Sequence, residues 1–339
     1  MMTMMFVRYL SVVRRCSKLG LLERCERVAA REVTREEIRL CHEESLLEVL
    51  EATPAMTEEE LQETSSKFDC LYLHPASWKA ALLSAGGVLE LVSRLVAGDL
   101  QNGLAVVRPP GHHAMRSQSC GYCYINNVAI AARTALASLD RILIVDWDVH
   151  HGQGTQREFY RDRGVMYISI HRYEDGYWWP NLRESDHDYI GEGEGEGYNV
   201  NIPLNTTGNT DADYLHAWHQ IVLPLATEFR PQLVLVSAGY DPAIGCPEGE
   251  QAVSPACFAH LTHSLMGLPG GRGRVCAILE GGYFPPSLAE GAALTLRALL
   301  GDPVPALPYP GAQPNTTIRL EGDQHQQRQR VISSVSESQ

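Results

Sequence analysis

The chain has 339 residues, and a usual domain size of about 150 residues predicts two domains or one large one. Hydrophobic residues make up 44% and charged residues 20%, so the chain can bury a sizeable core and is not disordered throughout. Asp and Glu number 41 against 28 Lys and Arg, which gives a net charge of −13. Because so acidic a chain has no overall positive field to gather phosphates, we expect no direct nucleic-acid binding.

Nine cysteines are scattered along the chain, and several lie inside apolar runs such as 274–279. Their odd number and scattered placement favour buried free thiols in a reducing compartment over a secreted protein stabilised by disulfides. We identify no apolar run of roughly 20 residues, so we expect no membrane span and no membrane partner.

Residues 1–18 carry four basic residues and no acid, a composition typical of a mitochondrial transit peptide. Tyr9, Val12, Val13 and Cys16 also form the apolar stripe of an amphipathic helix that continues without a break into the following residues. The segment is therefore either a targeting signal or the first helix of the domain, and the continuous periodicity favours the helix.

Helices are predicted over the next part of the chain. Residues 36–66 form an acidic helical segment that is interrupted at Pro54. Its second half begins at a capping box, because Glu60 follows Thr57 by three residues and acids fill the first turn. Residues 75–98 predict a further helix with apolar residues at helical spacing.

From residue 103 onward, predicted strands alternate with predicted helices. The strands are Val/Ile/Leu-rich runs at 103–108, 141–148, 165–171, 233–241 and 274–282. The helices are 126–137, 211–229, 255–266 and 287–300. This alternation predicts an α/β fold with a central parallel sheet and helices on both faces. We expect one domain over 1–303 and a disordered tail or linker over 304–339, where the apolar pattern stops.

Several predicted strands end in unusual polar residues, and ligands of parallel sheets bind at the carboxyl ends of strands. Asp148 and His150 are two residues apart, so they point to the same side of an extended strand. Asp241, at another strand end, is the candidate for a third ligand. One imidazole and two carboxylates predict a catalytic zinc site that keeps one position open for water.

A histidine pair and a tyrosine accompany these candidate ligands. His112 and His113 follow a rigid Pro-Pro-Gly turn, and imidazoles beside a metal suit general acid–base catalysis because their pKa lies near neutrality. Tyr283 follows two glycines that permit close approach, so its phenol could donate a hydrogen bond to a developing oxyanion. Each feature alone is more often structural, whereas their combination at one sheet edge predicts an active site.

These residues, in this order, resemble the zinc-dependent histone deacetylases, and within them class IIb. The likeness is carried by Arg108-Pro-Pro-Gly-His-His-Ala114, Val145-Asp-Trp-Asp-Val-His-His-Gly-Gln-Gly-Thr155 and Leu279-Glu-Gly-Gly-Tyr283, and it extends to about Pro303. It implies an arginase-like α/β fold and hydrolysis of acetyl amides to acetate and a free amine. The implied substrates are acetylated lysines of tubulin-type or histone-type proteins. The implied location is the cytoplasm, with the nucleus as a second compartment.

Carried over by position, the resemblance assigns a role to each candidate. Zn²⁺ would be bound by Asp148, His150 and Asp241. His113 would be the general base on the zinc-bound water, His112 its electrostatic partner or acid, and Tyr283 the group that polarises the acetyl carbonyl. The substrate would be held by the Gly121 carbonyl, by the channel walls Tyr122 and Trp179, and by Asp69 at the rim. A structural K⁺ would lie near Asp146 and Ser169.

The sequence departs from the family in three places. Only Arg8 of the family's opening Pro-Glu-Arg motif aligns, so we expect this sequence to lack an edge strand and one lip of the pocket. Gln153 stands where class I members carry an aspartate, so His113 lacks an acidic partner. Glu248 falls at the pocket rim, where members that deacetylate polyamines carry a glutamate, and its carboxylate favours a cationic substrate.

Three alternatives to a protein-lysine deacetylase remain. Glu248 supports an acetylpolyamine deacetylase. A non-catalytic binding module is also open, because the missing edge strand would leave the sheet edge exposed. A two-metal ureohydrolase on the same fold is disfavoured, since it would need more carboxylates beside Asp148 and Asp241 and has no use for Tyr283.

Overall fold

The computed structural model describes residues 2–269 and 274–314. Within those ranges a single sheet contains six strands in the order β1-β6-β5-β2-β3-β4, and every neighbouring pair is parallel. The strands are β1 (Gly103–Ala105), β2 (Ile142–Asp146), β3 (Val165–Arg172), β4 (Asn199–Leu204), β5 (Leu233–Ala238) and β6 (Val275–Leu279). The predicted α/β fold with a parallel sheet is confirmed.

Helices lie around this sheet. They are α1 (Met2–Lys18), α2 (Arg35–Ile38), α3 (Glu44–Ala52), α4 (Glu58–Ser65), α5 (Ser77–Ala97), α6 (Asn127–Ala135), α7 (Gln153–Phe159), α8 (Asp211–Ala217), α9 (Leu223–Phe229), α10 (Pro255–Met266) and α11 (Pro285–Leu299). The predicted helix over 211–229 contains a π-helical turn, Trp218–Val222, between α8 and α9. The capping box at the start of α4 is confirmed, with Thr57 and Glu60 bonded reciprocally.

Each face of the sheet packs against its own hydrophobic core. Leu143 and Val145 of β2 point into one core, and Ile142 and Ile144 point into the other. Burial on both faces explains why the strands are continuously apolar and do not alternate with polar residues. α1 packs against α11 and contributes Val12 to the first core, so residues 2–18 form the predicted helix.

The longest helix corrects one expectation. α5 has 21 residues and a mean hydropathy of 1.6 over its most apolar window, so by length and composition it could cross a membrane. Half of that window is buried in the fold, where α5 packs against α6 and β1. Packing in the core therefore accounts for the apolar character of α5. The expectation that the chain has no apolar run of roughly 20 residues was wrong.

The sequence patterns missed the strand at one sheet edge and predicted the strand at the other edge, over 103–108, three residues too long. β4 was not predicted because Asn199, Asn201 and Pro203 interrupt its apolar pattern, and an edge strand tolerates proline where a central strand does not. β1 has only three residues, and among the described residues it pairs with β6 alone. No helix or strand is present over 303–314, and the rest of the predicted tail lies outside the described residues.

Candidate active site

The parallel sheet brings the candidate residues to one edge. Asp146 ends β2, and Asp148 and His150 follow it directly. The chain beyond β5 supplies Asp241, and the chain beyond β6 supplies Tyr283. Since all strands run in the same direction, these carboxyl ends meet at one place, as the sequence predicted.

The three candidate ligands form a compact buried cluster. Ligand atoms of Asp148, His150 and Asp241 all lie within 4.8 Å of one another. His150 Nδ1 is 3.0 Å from Asp148 Oδ1 and 3.2 Å from Asp241 Oδ2. Within the part of the chain that the structure describes, Asp241 Oδ2 is buried and accepts no well-aligned hydrogen bond. Two adjacent buried carboxylates require a compensating positive charge, and this set of one nitrogen and two oxygen ligands fits zinc.

Backbone groups orient the two carboxylates. Asp148 Oδ2 accepts a hydrogen bond from the Gly281 N–H at 2.8 Å, and Asp241 Oδ1 accepts one from Val149 N–H, also at 2.8 Å. A Cβ atom on Gly239 would lie 2.0 Å from Asp148 Oδ2. Only glycine at this position leaves room for the carboxylate, and the sequence patterns did not indicate this role.

The pKa values of the adjacent histidines are shifted in opposite directions. Burial alone would lower the pKa of His112, but the negative charges of Asp146, Asp148 and Glu280 outweigh it and raise the pKa to about 10. Burial and the positive charge of His112 lower the pKa of His113 well below its ordinary value. His112 is therefore an imidazolium at neutral pH, and His113 is a neutral imidazole.

The residue behind each histidine fixes its ring. His112 Nδ1 donates to Asp146 Oδ2 at 2.9 Å, and His113 Nδ1 donates to Gln153 Oε1 at 2.8 Å. The Gln153 amide is oriented by its N–H, which donates to Cys120 Sγ at 3.5 Å. Because His113 Nδ1 carries the proton, His113 Nε2 has a free lone pair and can accept a proton from water.

Aromatic rings line the approach to this cluster. The Trp179 ring lies 4.7 Å from the His113 ring, and the Tyr122 ring lies 6.4 Å from the Tyr283 ring. Gly121 lies between these walls, since a Cβ there would collide with both His113 and Trp179. The structure thus brings the predicted channel residues together, and their roles in binding remain predictions.

Trp178 belongs to the site as well, although the sequence analysis named only its neighbour. Its ring stacks on the His150 ring at 4.7 Å, and the guanidinium carbon of Arg172 lies 4.7 Å from the centroid of the Trp178 ring. Two adjacent tryptophans in a loop are rare enough to have been a signal. Asp69 lies at the same rim, where its carboxylate accepts a hydrogen bond from Trp179 Nε1 at 3.0 Å.

The remaining site residues are Tyr283 and Glu248. Burial raises the pKa of Tyr283 well above its ordinary value, so the phenol keeps its proton and can donate a hydrogen bond. Glu248 is exposed in the loop between β5 and α10. Burial raises the pKa of Tyr122, and the charges of the nearby Cys70 and Glu248 raise it further. The position of Glu248 at the pocket rim stays a prediction.

The proposed potassium residues are neighbours in the sheet. Asp146 of β2 is in register with Ser169 of β3 on one side and with Ser237 of β5 on the other. Ser169 Oγ is hydrogen bonded to His171 Nδ1 at 2.8 Å, whereas the buried Ser237 hydroxyl has no partner among the described residues. These oxygen atoms are compatible with a cation, and potassium binding stays a prediction.

Comparison with known proteins agrees with this geometry. The sequence profile of the histone deacetylase domain matches residues 3–299. Polyamine deacetylase HDAC10 of Homo sapiens is 51% identical over 307 residues, which is 90% of this chain and 46% of that protein. Histone deacetylase HDA1 of Saccharomyces cerevisiae is 42% identical over 296 residues, covering 86% of this chain and 42% of that protein.

Two further similarities complete the comparison. Histone deacetylase 6 of Caenorhabditis elegans is 42% identical over 296 residues, 87% of this chain and 31% of that protein. This chain spans less than half the length of the curated relatives named here. The solved HDA15 HD domain superposes with a TM-score of 0.86 at 34% identity, covering 98% of this chain and 90% of that chain, which supports the arginase-like fold.

Proposed function

Because the chain belongs to the histone deacetylase family, we propose that it is a zinc-dependent amidohydrolase that releases acetate from acetylated amines. The observation that carries this proposal is the buried Asp148–His150–Asp241 cluster beside one charged and one neutral histidine. That combination supplies a metal site, a base and a cation within one pocket. A binding module would have no need of this arrangement of charges.

A zinc ion held by the three ligands supplies Lewis-acid chemistry for amide hydrolysis. The chain's own residues supply the proton transfers. His113 Nε2 accepts the proton of the attacking water, and the His112 imidazolium stabilises negative charge that develops nearby. The Tyr283 phenol donates a hydrogen bond to the developing oxyanion.

We infer that acetylated polyamines are the first substrate candidates. The exposed carboxylate of Glu248, whose charge acts on the channel residue Tyr122, favours a substrate with a cationic tail, and polyamine deacetylases are among the most similar relatives. Acetyl-lysine in proteins is the second candidate, favoured by the histone deacetylases among the relatives and by an aromatic channel that suits an uncharged aliphatic stem. We also propose membership of class IIb and a cytoplasmic location.

The test is acetate release from N8-acetylspermidine and from an acetyl-lysine peptide by the zinc-loaded protein. Tyr283→Phe should lower kcat on either substrate by at least about 100-fold, because the oxyanion loses its donor. Glu248→Gln should lower kcat/KM for acetylspermidine by about tenfold and change the peptide reaction by less than about twofold.

Glu250→Gln is the matched control for Glu248, since Glu250 is an exposed acid of the same loop that pairs with Arg172 at 3.2 Å. This variant should leave the ratio of the two activities unchanged. Turnover of the peptide alone would make acetyl-lysine the substrate and Glu248 incidental. If folded, zinc-loaded protein releases acetate from neither substrate, the proposed enzymatic function is contradicted and a binding module remains.

A further inference from the structure

Glu280, the residue directly after β6, carries a buried carboxylate that contacts the turn of the histidine pair. The residue is only 1% exposed. Its Oε2 accepts hydrogen bonds from two successive backbone N–H groups, at 2.7 Å from Gly111 N and 3.2 Å from His112 N. Its Oε1 has no hydrogen-bond partner among the described residues. A single oxygen atom therefore holds the backbone directly ahead of His113.

The histidine turn is also held from other sides. A Cβ atom on Gly111 would lie 2.5 Å from Asn127 N, so the turn lies against the start of α6. The His112 carbonyl accepts a hydrogen bond from the N–H of Thr155 in α7 at 3.2 Å. The turn is therefore enclosed by α6, α7 and the end of β6, and Glu280 makes the contact from β6.

The backbone at Glu280 is itself fixed. Its N–H donates to Ala238 O of β5 at 3.2 Å, and its carbonyl accepts a hydrogen bond from Arg8 of α1. The next residue, Gly281, donates its N–H to Asp148 Oδ2 at 2.8 Å. The end of β6 thus contacts the histidine turn through a side chain and a candidate zinc ligand through the backbone. The same strand end therefore restrains both the base and the metal ligand.

We infer that Glu280 is a positioning residue for His113, which holds the turn of the general base at a fixed distance from the candidate zinc ligands. This inference rests on the proposed function and deepens it by adding a residue that acts through the backbone of the base. Proton transfer from water to His113 Nε2 depends steeply on the distance between the two. A displaced ring therefore lowers kcat while substrate binding is kept.

The alternative is that Glu280 acts through its charge, since its carboxylate is one of the negative charges that raise the pKa of His112. Two substitutions separate position from charge. Glu280→Gln removes the charge and keeps an oxygen at the same reach from the two N–H groups. Glu280→Asp keeps the charge and draws the carboxylate back by one methylene, about 1.5 Å.

Gln232 provides the matched control. Its Oε1 also accepts hydrogen bonds from two successive backbone N–H groups, at 2.7 Å from Asp140 N and 3.0 Å from Arg141 N. These residues come just before β2, at the opposite end of the sheet from the candidate site. Gln232→Asn shortens this contact by one methylene, as Glu280→Asp does at the histidine turn. Both variants should lose stability, and only Glu280→Asp should lose kcat.

The experiment is a double-mutant cycle with Glu280→Asp and His113→Ala, measured as acetate release by zinc-loaded protein. Glu280→Asp should lower kcat by about 10- to 100-fold with KM within about twofold. Glu280→Gln should keep kcat within about threefold of the wild type, and Gln232→Asn within about twofold. In the His113→Ala background, Glu280→Asp should lower kcat by less than about threefold more.

Three results would overturn the inference and leave the proposed function intact. If Glu280→Gln lowers kcat as much as Glu280→Asp, the charge matters and not the place of the acceptor. If the losses from Glu280→Asp and His113→Ala multiply in the double variant, Glu280 acts independently of the base. If Glu280→Asp loses bound zinc in proportion to activity, the effect lies at the metal ligands.

A second variant covers the case in which Glu280→Asp does not fold. Glu280→Met keeps the length of the side chain and has no oxygen acceptor, so it takes the same place in the cycle with the same expected losses. Inactive wild-type protein that is folded and holds zinc would contradict the proposed function and not the role of Glu280 alone.

Discussion

At the scale of single residues, Asp146 and Gln153 determine the different roles of two adjacent histidines. His112 and His113 are adjacent and equally buried, yet one faces a carboxylate and the other faces an amide. Asp146 stabilises the charged form of His112, whereas Gln153 offers His113 a hydrogen-bond acceptor without a full charge. The division of labour between cation and base therefore depends on the residues behind the rings.

Gln153→Glu should convert His113 from a neutral to a more basic imidazole. The new carboxylate would lie at hydrogen-bond distance from His113 Nδ1–H and stabilise the imidazolium, so the pKa of His113 rises. A base works only when unprotonated, so the acidic limb of the kcat/KM profile should move to higher pH by about one unit or more. The profile against pH for acetate release measures this shift.

Gln156→Glu is the matched control for that experiment. Gln156 Oε1 accepts a hydrogen bond from His151 Nε2 at 2.9 Å, so the same substitution places a carboxylate against a buried histidine that is not among the candidate site residues. Its acidic limb should stay at the wild-type position. If the acidic limb moves equally in both variants, the added negative charge of the protein, and not the hydrogen-bond partner of His113, determines the pH at which the limb falls.

The candidate site was largely predictable because its ligands follow a strand at a spacing of two. Asp148 and His150 had to share one side, and the parallel sheet had to bring Asp241 to them. Gly239 and Ser237 could not be found in this way, because each matters through a residue of β2 or of the chain just after it. Such cross-strand relations depend on register, which a single sequence does not reveal.

At the scale of elements, the interior strands, the edge strand β1 and the capped helix α4 were predictable, and the edge strand β4 was not. α4 begins where its capping box predicts, because Thr57 and Glu60 satisfy backbone donors locally. β4 was missed because its asparagines bond to Gln156 and so are buried although polar. Local sequence patterns therefore predict an element well only when its buried residues are apolar. Where buried polar residues are satisfied by distant side chains, the local pattern does not show the element.

Thr57→Ala should lower the free energy of unfolding by about 1 kcal/mol, because the first turn of α4 loses the hydroxyl that accepts the Glu60 N–H. Urea denaturation measures this loss. Glu63→Ala is the control on the same helix, where an exposed pair with Lys67 should contribute less than about 0.5 kcal/mol. Acetate release should be unchanged in both variants, and equal stability losses would show that the cap has no special role.

At the scale of the whole molecule, the order of the strands in the sheet differs from their order in the sequence. β1 lies at one edge beside β6, and β2 lies in the interior between β5 and β3. The two cores on the faces of the sheet are each assembled from segments throughout the described chain. The site at the carboxyl ends therefore draws its residues from both halves of the chain, which is why its motifs are far apart in the sequence.

Arg8 of α1 donates hydrogen bonds to the carbonyls of Glu280 and Gly282 in the turn after β6, and this contact has a kinetic consequence. Since Arg8 and Glu280 are 272 positions apart, the contact closes a loop of almost the whole domain, and loops of that length close late in folding. During refolding from urea with zinc present, the helical signal in far-UV circular dichroism should therefore recover before acetate release does. Activity that returns in step with the helical signal would contradict this order of events. If activity recovers later than the helical signal, its rate of recovery measures how fast α1 docks against the turn after β6.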